Sequence, residues 1–494
     1  MKTEREVINT EREVKNTTGP ILEMLRAYRD EEVISFHTPG HKGGKAFDAQ
    51  GDGGVRENLY TFDVTEIQGS DSLYSSKGVI KESKDRAAEI LGAKRVDYLV
   101  NGSTAGVLAM LTSQLKPGDE ILIPRDVHQS ALHGLILGRI RPRWIEEEIE
   151  EQTGLIKGVS LKKLQEAYGR HPEAKAVFLT HPTYYGLPSE IEKIREWTER
   201  RSLLLLVDQA HGAHFHLSPE SFPLSAVAAG ADLTVMSLHK TLPSLTQTAV
   251  LVMQGGRIDE ERLDRTLRIH QTSSPSYLFL ASIEGVFSYS EGKGKQEMKR
   301  LLAMIDRIRP AFGKMKGFDL YTFEPTKLWI APSYEGMTGH GIKAVLRKKY
   351  GIEMELSTKE GVLAIVTPGN REKDLKKLVF AFEELEKTLY NKKRITTGRR
   401  QNAKKRNGVS ESEALPLWDA FYRKRKWVSI EISEGKIAGD FLTPYPPGIP
   451  LLMPGERITE EHLAIIREDL KEKKEVTGVQ GDSPPGVSVI EEEE

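Results

Sequence analysis

The sequence predicts an α/β fold in which a mostly parallel sheet is covered by helices on both faces. The run Leu203–Val207 is continuously apolar, which is typical of a strand buried on both sides. Glu120–Ile123 and Ala176–Thr180 are two further strand-like runs, and segments of helical character alternate with them along the chain. This alternation favours a doubly wound sheet, whose ligands bind where the strands end.

The composition excludes several classes of protein. Lys and Arg together number 71 against 72 Asp and Glu, so the net charge of −1 does not favour nucleic acid or an anionic membrane as a partner. Absence of cysteine excludes disulfides and thiolate metal sites, and no metal site is expected. The charged N-terminal segment lacks the apolar core of a signal peptide, and no apolar run approaches the roughly 18 residues of a membrane helix. We expect a cytoplasmic enzyme.

A lysine stands in unusual company after the strand-like run Ala231–Met236. The segment continues as Ser237, Leu238, His239 and Lys240. Lysine forms Schiff bases with aldehyde cofactors, and the neighbouring hydroxyl and imidazole could hold a phosphate. The alternative is a loop lysine beside a buried serine, and this short motif alone does not decide between the two.

Asp208 adds the second part of the pattern. It follows the buried run Leu203–Val207, one strand upstream of Lys240. Pyridoxal phosphate needs an acid opposite its ring nitrogen, because a protonated pyridinium is the better electron sink. The two residues together therefore indicate a pyridoxal-phosphate site.

The turn Asn101–Gly106 is a candidate for holding the phosphate of that cofactor. It joins the strand Val96–Val100 to an apolar helix and contains glycines and hydroxyls. Backbone N–H groups and the positive end of the helix dipole attract an anion at such a position. We assign Ser103 and Thr104 to the phosphate.

The chain resembles the Orn/Lys/Arg decarboxylase family of pyridoxal-phosphate enzymes, most of all the short bacterial arginine and lysine decarboxylases. The resemblance runs from about Phe36 to Glu456 and rests on motifs that occur in order: FHTPGHKGG, DVTEIQGSDSL, VNGSTAG, HPTYYG, VDQAHGAHF, SLHKTLPSLTQ, TSSPSY and TPYPPGIPLLMPGE. It implies the aminotransferase-like fold (fold type I), with a small α+β domain and a C-terminal lobe beside the large domain.

The resemblance also implies roles for residues around Lys240 and Asp208. His128 would stack on the cofactor ring, although Asp126, Val127 and Gln129 depart from the usual Asn-Cys-His-Lys-Ser pattern. The acid Asp208 is normally followed by Glu, whereas Gln209 stands here. The remaining implied cofactor contacts are Thr183 at the ring edge, Ala210 and His211 at the ring face, and Ser274, with Ser276, reaching the neighbouring subunit's phosphate.

We predict five segments along the chain. These are an N-terminal arm and interface segment (1–58), a cofactor-binding large domain (59–310), a small α+β domain (311–391), a basic linker (392–412), and a C-terminal lobe (413–494) with a tail disordered from about Gly478. The linker is dense in Lys and Arg and could contact RNA or an acidic partner, but the near-neutral net charge of the whole chain favours a solvated connection.

The expected reaction is the pyridoxal-phosphate-dependent decarboxylation of a basic L-amino acid, in which Lys240, His128 and Asp208 are catalytic. The resemblance makes arginine the first choice of substrate, giving agmatine for polyamine biosynthesis, followed by lysine and ornithine. A carboxylate would complement the distal cation of the substrate. Glu66, Asp71 and Asp440 are candidates, although each is as readily explained as a capping or surface acid.

Two other classes of function remain open at this point. Another pyridoxal-phosphate reaction on the same fold, such as an aminotransferase or a lyase, is possible because fold does not determine chemistry. A non-catalytic regulator would retain the fold without the chemistry, and the intact Lys240, Asp208 and His128 argue against it. The resemblance implies a homodimer or a higher homo-oligomer with shared active sites.

Overall fold

The computed structural model describes residues 20–47, 58–334, 336–388, 413–445, 450–471, 475–481 and 485–491. The N-terminal segment begins with α1 (Pro20–Asp30) and β1 (Ile34–Phe36). The predicted basic linker lies outside the described residues.

A seven-stranded sheet forms the centre of the large domain. Its strands are β2 (Arg95–Leu99), β3 (Glu120–Pro124), β4 (Arg141–Ile145), β5 (Ala176–Thr180), β6 (Leu204–Asp208), β7 (Leu233–Ser237) and β8 (Ala249–Met253). They lie in the order β2-β8-β7-β6-β5-β3-β4, and β8 pairs antiparallel with both of its neighbours while the other pairs are parallel. The mostly parallel sheet predicted from the sequence is therefore confirmed.

Helices cover both faces of this sheet. They are α2 (Val79–Leu91), α3 (Gly102–Gln114), α4 (Gln129–Gly138), α5 (Leu161–Arg170), α6 (Ile191–Glu199), α7 (Leu238–Thr241), α8 (Glu260–His270), α9 (Tyr277–Tyr289) and α10 (Lys295–Lys314). In β8, Val250 and Val252 pack into one core cluster, whereas Leu251 and Met253 pack into another. Because successive side chains of a strand point to opposite faces, an all-apolar strand requires such a double cover.

The small domain is built on a four-stranded antiparallel sheet. Its elements are β9 (Phe318–Tyr321), β10 (Lys327–Pro332), α11 (Gly339–Tyr350), β11 (Ile352–Met354), β12 (Leu356–Ser357), β13 (Val362–Ile365) and α12 (Glu372–Lys387). The sheet order is β12-β13-β10-β9, and β11 pairs in parallel with β1 from the N-terminal segment. The N-terminal segment is therefore part of the small domain's architecture.

The C-terminal lobe contains a second small set of strands and helices. They are α13 (Leu417–Tyr422), β14 (Arg425–Ser429), β15 (Thr443–Tyr445), α14 (Glu460–Lys471), β16 (Glu475–Thr477), β17 (Val479–Gln480) and β18 (Gly486–Ile490). Strand β18 pairs with β14 and β17, and its Val487 and Val489 are fully buried in the core of the lobe. The expectation of a disordered tail is wrong for this segment, because alternating valines give it a face to bury.

Neither a membrane span nor a metal site is found in the part of the chain that the structure describes. No helix there is long and apolar enough to cross a bilayer. No group of three or more His, Asp or Glu side chains there could hold a metal ion.

Candidate active site

Lys240 lies on the single helical turn α7, directly after strand β7. Its Nζ atom is 3.0 Å from Nε2 of His211. Burial lowers the pKa of Lys240 below its ordinary value of 10.5, and the charges of Asp208 and Glu355 act in the opposite direction. A lowered pKa favours the unprotonated nitrogen, which is the form that attacks an aldehyde.

Asp208 is the last residue of β6, the strand next to β7 in the sheet. Its Oδ1 atom accepts a hydrogen bond of 2.9 Å from the backbone N–H of Ala210, and the side chain is buried. Adjacent parallel strands end at the same edge of a sheet, which brings the carboxylate and the amine of Lys240 to one place. The two residues that the sequence pattern linked are therefore brought together.

The predicted phosphate residues meet at the start of α3. Ser237 is fully buried at the end of β7 and donates a hydrogen bond of 2.9 Å from Oγ to Oγ of Ser103. Thr104, the next residue of α3, is exposed. Two hydroxyls beside the free N–H groups of a helix N-terminus are a suitable donor set for a phosphate. His239 donates through Nδ1 to the carbonyl of Thr248 at 2.9 Å, which leaves Nε2 as its second ring nitrogen for a ligand.

His128 is the N-cap of α4. Its Nδ1 atom accepts a hydrogen bond from the backbone N–H of Ser130 at 3.2 Å, so the neutral ring carries its proton on Nε2. The residue keeps solvent access, as a ring that receives a ligand requires. Partial desolvation lowers the pKa of His128, while the charge of Asp208 raises it and that of Lys240 lowers it. The imidazole thus lies within electrostatic range of both residues.

One wall of the site is formed by the segment after β5. Thr183 is buried, and Tyr184 is 37% exposed with its ring 4.5 Å from the ring of His211. The fully buried Lys327 donates from Nζ to the carbonyl oxygens of Thr183 at 3.2 Å and Tyr184 at 2.8 Å. Burial lowers the pKa of Lys327 to about 7. This lysine therefore fixes the backbone that carries Tyr184.

Glu355 is a functional candidate that the sequence reasoning missed. Its Oε1 accepts a hydrogen bond from the Tyr184 hydroxyl, and its Oε2 accepts one of 2.7 Å from the backbone N–H of Thr38. Its charge raises the pKa of Lys240 against the effect of burial, so it lies within electrostatic range of the amine. The residue follows β11 of the small domain in no recognisable motif, and no signal in the sequence could have placed it here.

The three acids predicted to meet the substrate lie in different settings. The carboxylate of Asp71 accepts hydrogen bonds from backbone N–H groups that lead into α2, among them Ser72 at 2.9 Å and Gly78 at 2.8 Å. These contacts match the capping alternative for Asp71. Asp440 is paired with Arg425 of β14 at 3.2 Å, and Glu66 is exposed in the loop before α2. A role for these acids in substrate binding stays a prediction.

Ser274 is exposed in the loop between α8 and α9. Gln271, at the start of that loop, accepts a hydrogen bond from the backbone N–H of Val100 at 2.9 Å, and the N–H of Thr272 lies 3.4 Å from Oδ1 of Asn101. The loop therefore borders the start of α3 in its own chain. Its predicted reach to a neighbouring subunit's phosphate stays a prediction.

Gln209, the departure from the family pattern beside Asp208, has a structural explanation. Its Nε2 donates to the carbonyl of Gly212 at 3.0 Å and to Oγ of Ser225 at 3.1 Å, while its Oε1 accepts from the N–H of Ala226 at 2.6 Å. Only a neutral amide can both donate and accept in this way. The side chain therefore serves the buried loop rather than the cofactor's ring nitrogen.

Asp126 is the departure beside His128. Burial, together with the charge of Glu147, raises the pKa of Asp126 to about 8. The acid in this position is therefore harder to ionise than one in water. The capping contacts of His128 are made to Ser130, so they do not depend on it.

The donor set fits pyridoxal phosphate. The half-buried amine of Lys240 suits the aldehyde, the buried carboxylate of Asp208 suits the pyridine nitrogen, and the hydroxyls at the helix N-terminus suit the phosphate. Nδ1 of His211 is also buried without a hydrogen-bond partner in the structure, so this polar edge next to Lys240 remains open to a ligand.

Two family models cover most of the chain. The model described as Orn/Lys/Arg decarboxylase, major domain, matches residues 19–328, and the model for the C-terminal domain of the same family matches residues 413–475. The chain belongs to the Orn/Lys/Arg decarboxylase family. It is an amino-acid decarboxylase by this membership, as the sequence motifs predicted.

Curated relatives agree with this assignment over nearly the full length. The chain is 32% identical to a protein named arginine decarboxylase from Bacillus subtilis, over 96% of this chain and 98% of the relative. The arginine decarboxylase of Halalkalibacterium halodurans is also 32% identical, with the same two coverages. The lysine decarboxylase LdcA of Pseudomonas aeruginosa is 24% identical over 90% of this chain and 75% of its own.

Solved structures confirm the fold. The constitutive lysine decarboxylase of Escherichia coli superposes with a TM-score of 0.74 at 20% identity, covering 96% of this chain and 82% of the other. The L-threonine transaldolase of Pseudomonas fluorescens superposes with a TM-score of 0.55 at 17% identity, covering 74% and 86%. The decarboxylase family member described here therefore has the aminotransferase-like fold (fold type I).

Proposed function

We propose that the protein converts L-arginine to agmatine and carbon dioxide with pyridoxal 5'-phosphate as its cofactor. The observation that carries this proposal is the half-buried amine of Lys240 beside the buried His211, with Asp208 at the end of the next strand. The choice of arginine is supported by the names of the curated relatives at 32% identity.

The cofactor would be held by side chains from three strand ends. Lys240 would bind its aldehyde carbon, and Asp208 would face its ring nitrogen. The phosphate would be bound by the hydroxyls and the imidazole that surround the start of α3: Ser103, Thr104, Ser237 and His239. When bound, pyridoxal phosphate supplies an electron sink for the pair of electrons that the departing carboxylate leaves on Cα.

The chain's own groups would handle orientation and protons. Asp208 would stabilise a proton on the ring nitrogen that it faces, by charge and hydrogen bonding. His128 presents its ring with the proton fixed on Nε2, because Nδ1 is occupied by the α4 cap. Thr183, Ala210 and His211 are buried and would exclude water from the same space.

Glu355 is the group we propose for the distal cation of the substrate. A guanidinium presents paired N–H donors, and a carboxylate with further lone pairs can accept them in addition to its two present partners. Its position against Tyr184, whose ring packs on His211, supports this role. The hydrogen bonds from Tyr184 and Thr38 would keep it oriented.

We also propose a cytoplasmic homodimer with shared active sites that serves polyamine biosynthesis. The exposed Ser274 next to the start of α3 would then contribute to the partner's phosphate site. Mixing a Lys240→Ala chain with a Ser274→Tyr chain tests this arrangement. Recovery of activity in the mixture supports shared sites, whereas two inactive proteins that stay inactive together, despite forming a mixed dimer, contradict it.

The substrate assay comes first. Purified protein with pyridoxal phosphate is given arginine, lysine or ornithine, and carbon dioxide and the amine product are both quantified. We expect the highest kcat/KM for arginine. A preference for lysine or ornithine would overturn the substrate, and cofactor absorbance without release of carbon dioxide would overturn decarboxylation in favour of another pyridoxal-phosphate reaction.

A further inference from the structure

The end of the C-terminal motif TPYPPGIPLLMPGE contacts the large domain through a buried ion pair. Glu456, its last residue, receives Nη1 of Arg125 on Oε1 at 2.7 Å and Nη2 on Oε2 at 2.9 Å. The side chains are 8% and 15% exposed, respectively. A two-pronged arginine–carboxylate pair of this kind fixes direction as well as distance.

Both partners are held by additional contacts. The guanidinium of Arg125 lies over the ring of Trp144, 5.0 Å from its centroid, and Nη2 also donates to the carbonyl of Leu451 at 3.4 Å. Glu456 Oε2 accepts from the backbone N–H of Met453 at 2.9 Å. Each side chain is therefore held by contacts of its own, and loss of the pair would not let one side chain move with the other.

Arg125 lies three residues before His128 of the candidate active site. Arg125 directly follows β3, and His128, the N-cap of α4, lies at the end of the same turn. The C-terminal lobe also packs against this helix, because α13 contacts α4 and both Leu417 and Met453 join the core that surrounds it. The N-cap bond of His128 orients its ring relative to α4, whereas Arg125 fixes the strand side of the turn.

We propose that Glu456 and Arg125 are positioning residues for the decarboxylation: their pair fixes the turn 125–128 and thereby the ring of His128 at the cofactor. This inference rests on the proposed function for its kinetic consequence. It also assigns a task to the C-terminal lobe. The lobe acts on the reaction through the geometry of one turn.

Kinetics and chemical modification test this together. In Glu456→Gln and Arg125→Lys, which keep most of the side-chain volume, we expect kcat to fall about 10- to 100-fold, the effect of a small misplacement of a catalytic group. KM for arginine stays close to that of the parent because neither residue contacts substrate. In the apoprotein, the rate at which diethyl pyrocarbonate modifies His128 changes, whereas the rate at His340 on α11 does not.

A double-mutant cycle and a matched control separate positioning from general stability. Arg125→Ala, Glu456→Ala and the double variant should show similar losses in kcat, because two residues that act as one unit are not additive. Val489→Ala, in the core of the same lobe, should lower the melting temperature while leaving kcat and the His128 modification rate unchanged.

Three results would overturn the inference. The first is a kcat within twofold of the parent in Glu456→Gln and Arg125→Lys. The second is an unchanged His128 modification rate in both variants. The third is a loss of kcat in Val489→Ala in proportion to its melting temperature. Failure of the proposed function has a different signature, namely a parent protein that decarboxylates none of the three amino acids, and the modification rates in the apoprotein remain informative in that case.

Discussion

The Nζ atom of Lys240 lies 3.0 Å from Nε2 of His211, and the two residues stand on the turns that follow the neighbouring strands β7 and β6. His211 is buried and Lys240 is half-buried. Desolvation lowers the pKa of each, and the charge of Lys240 lowers that of His211 further. The lowered pKa favours the neutral imidazole, and one hydrogen bond joins it to the amine. The rate at which an amine-specific reagent labels Lys240 in the apoprotein therefore reports on this setting.

The first prediction concerns that reactivity. Labelling of Lys240 in the apoprotein by trinitrobenzenesulfonate should follow a midpoint below pH 10.5, because burial disfavours the ammonium. Asp208→Asn should move the midpoint further down, since the carboxylate stabilises the charged amine. Peptide mapping across a pH series gives both midpoints. A midpoint that rises in Asp208→Asn contradicts the assignment of charges.

The second prediction concerns substrate recognition. Glu355→Gln should raise KM for arginine about 10- to 100-fold, the equivalent of losing one charge-assisted hydrogen bond of roughly 1.5–3 kcal/mol. Asp440→Asn removes an acid that is paired with Arg425 and serves as the matched control, with KM unchanged. Steady-state kinetics on both variants decide the matter. A raised KM in Asp440→Asn together with an unchanged KM in Glu355→Gln would assign the binding of the distal cation to Asp440.

The third prediction uses the buried Lys327, whose pKa is lowered to about 7. Between that value and 10.5 the unfolded chain binds the extra proton, so the lysine's contribution to stability rises with pH, by at most about 1.4 kcal/mol per pH unit. Below pH 7 both states are charged and the folded state carries the full cost. In urea unfolding of the apoprotein, Lys327→Met should therefore lower the free energy of unfolding least at pH 6 and most at pH 9.

Lys193 provides the control for this pH series. Its hydrogen bond to Glu190 raises its pKa above 10.5, so its contribution is fully present below pH 10.5 and is lost only as the pH rises through the higher folded value. Lys193→Met should therefore change the free energy of unfolding equally at pH 6 and pH 9. The same rise between pH 6 and pH 9 in both lysine variants would mean that the effect of Lys327 does not come from its burial.

The fourth prediction concerns Gln209→Glu, which introduces the residue that the family pattern favours. Gln209→Glu replaces two buried N–H donors by a carboxylate that faces the carbonyl of Gly212, at a cost of about 1–3 kcal/mol. Burial raises the pKa of the new acid above its unfolded value, so the deficit grows as the pH rises through the range between the two. Melting curves at pH 5 and pH 8 measure this deficit in stability. Gln152→Glu, at an exposed position, is the control. An unchanged melting temperature at both pH values would contradict this account of Gln209.

The sequence was sufficient for features that depend on local pattern. Apolar runs located the strands of the central sheet, and residues at their carboxyl ends met at one edge because parallel strands require it. Lys240, Asp208, Ser103 and Ser237 were all found in this way. Strand β5 coincides with its predicted bounds, Ala176–Thr180.

Features that depend on distant parts of the chain were not predictable. Asp71 has the charge for a substrate cation, yet its carboxylate accepts backbone N–H groups from Lys77, Gly78 and Ile80, a loop geometry that composition does not reveal. Glu355 approaches the site only because the small domain folds against Tyr184. Long-range packing of this kind leaves no periodicity in the sequence.

The parallel pairing of β1 with β11 has a consequence for the order in which the protein is made. Ile34 leaves the ribosome early, but its partner Ile352 is synthesised only when most of the chain has already emerged. Until then Phe36, fully buried in the finished protein, has no sheet to join. Contacts of such long range form late and slowly, and exposed apolar segments attract chaperones or other nascent chains. Strand β1, which ends at Phe36, is therefore a part of the newborn polypeptide that stays exposed until the small domain has been synthesised.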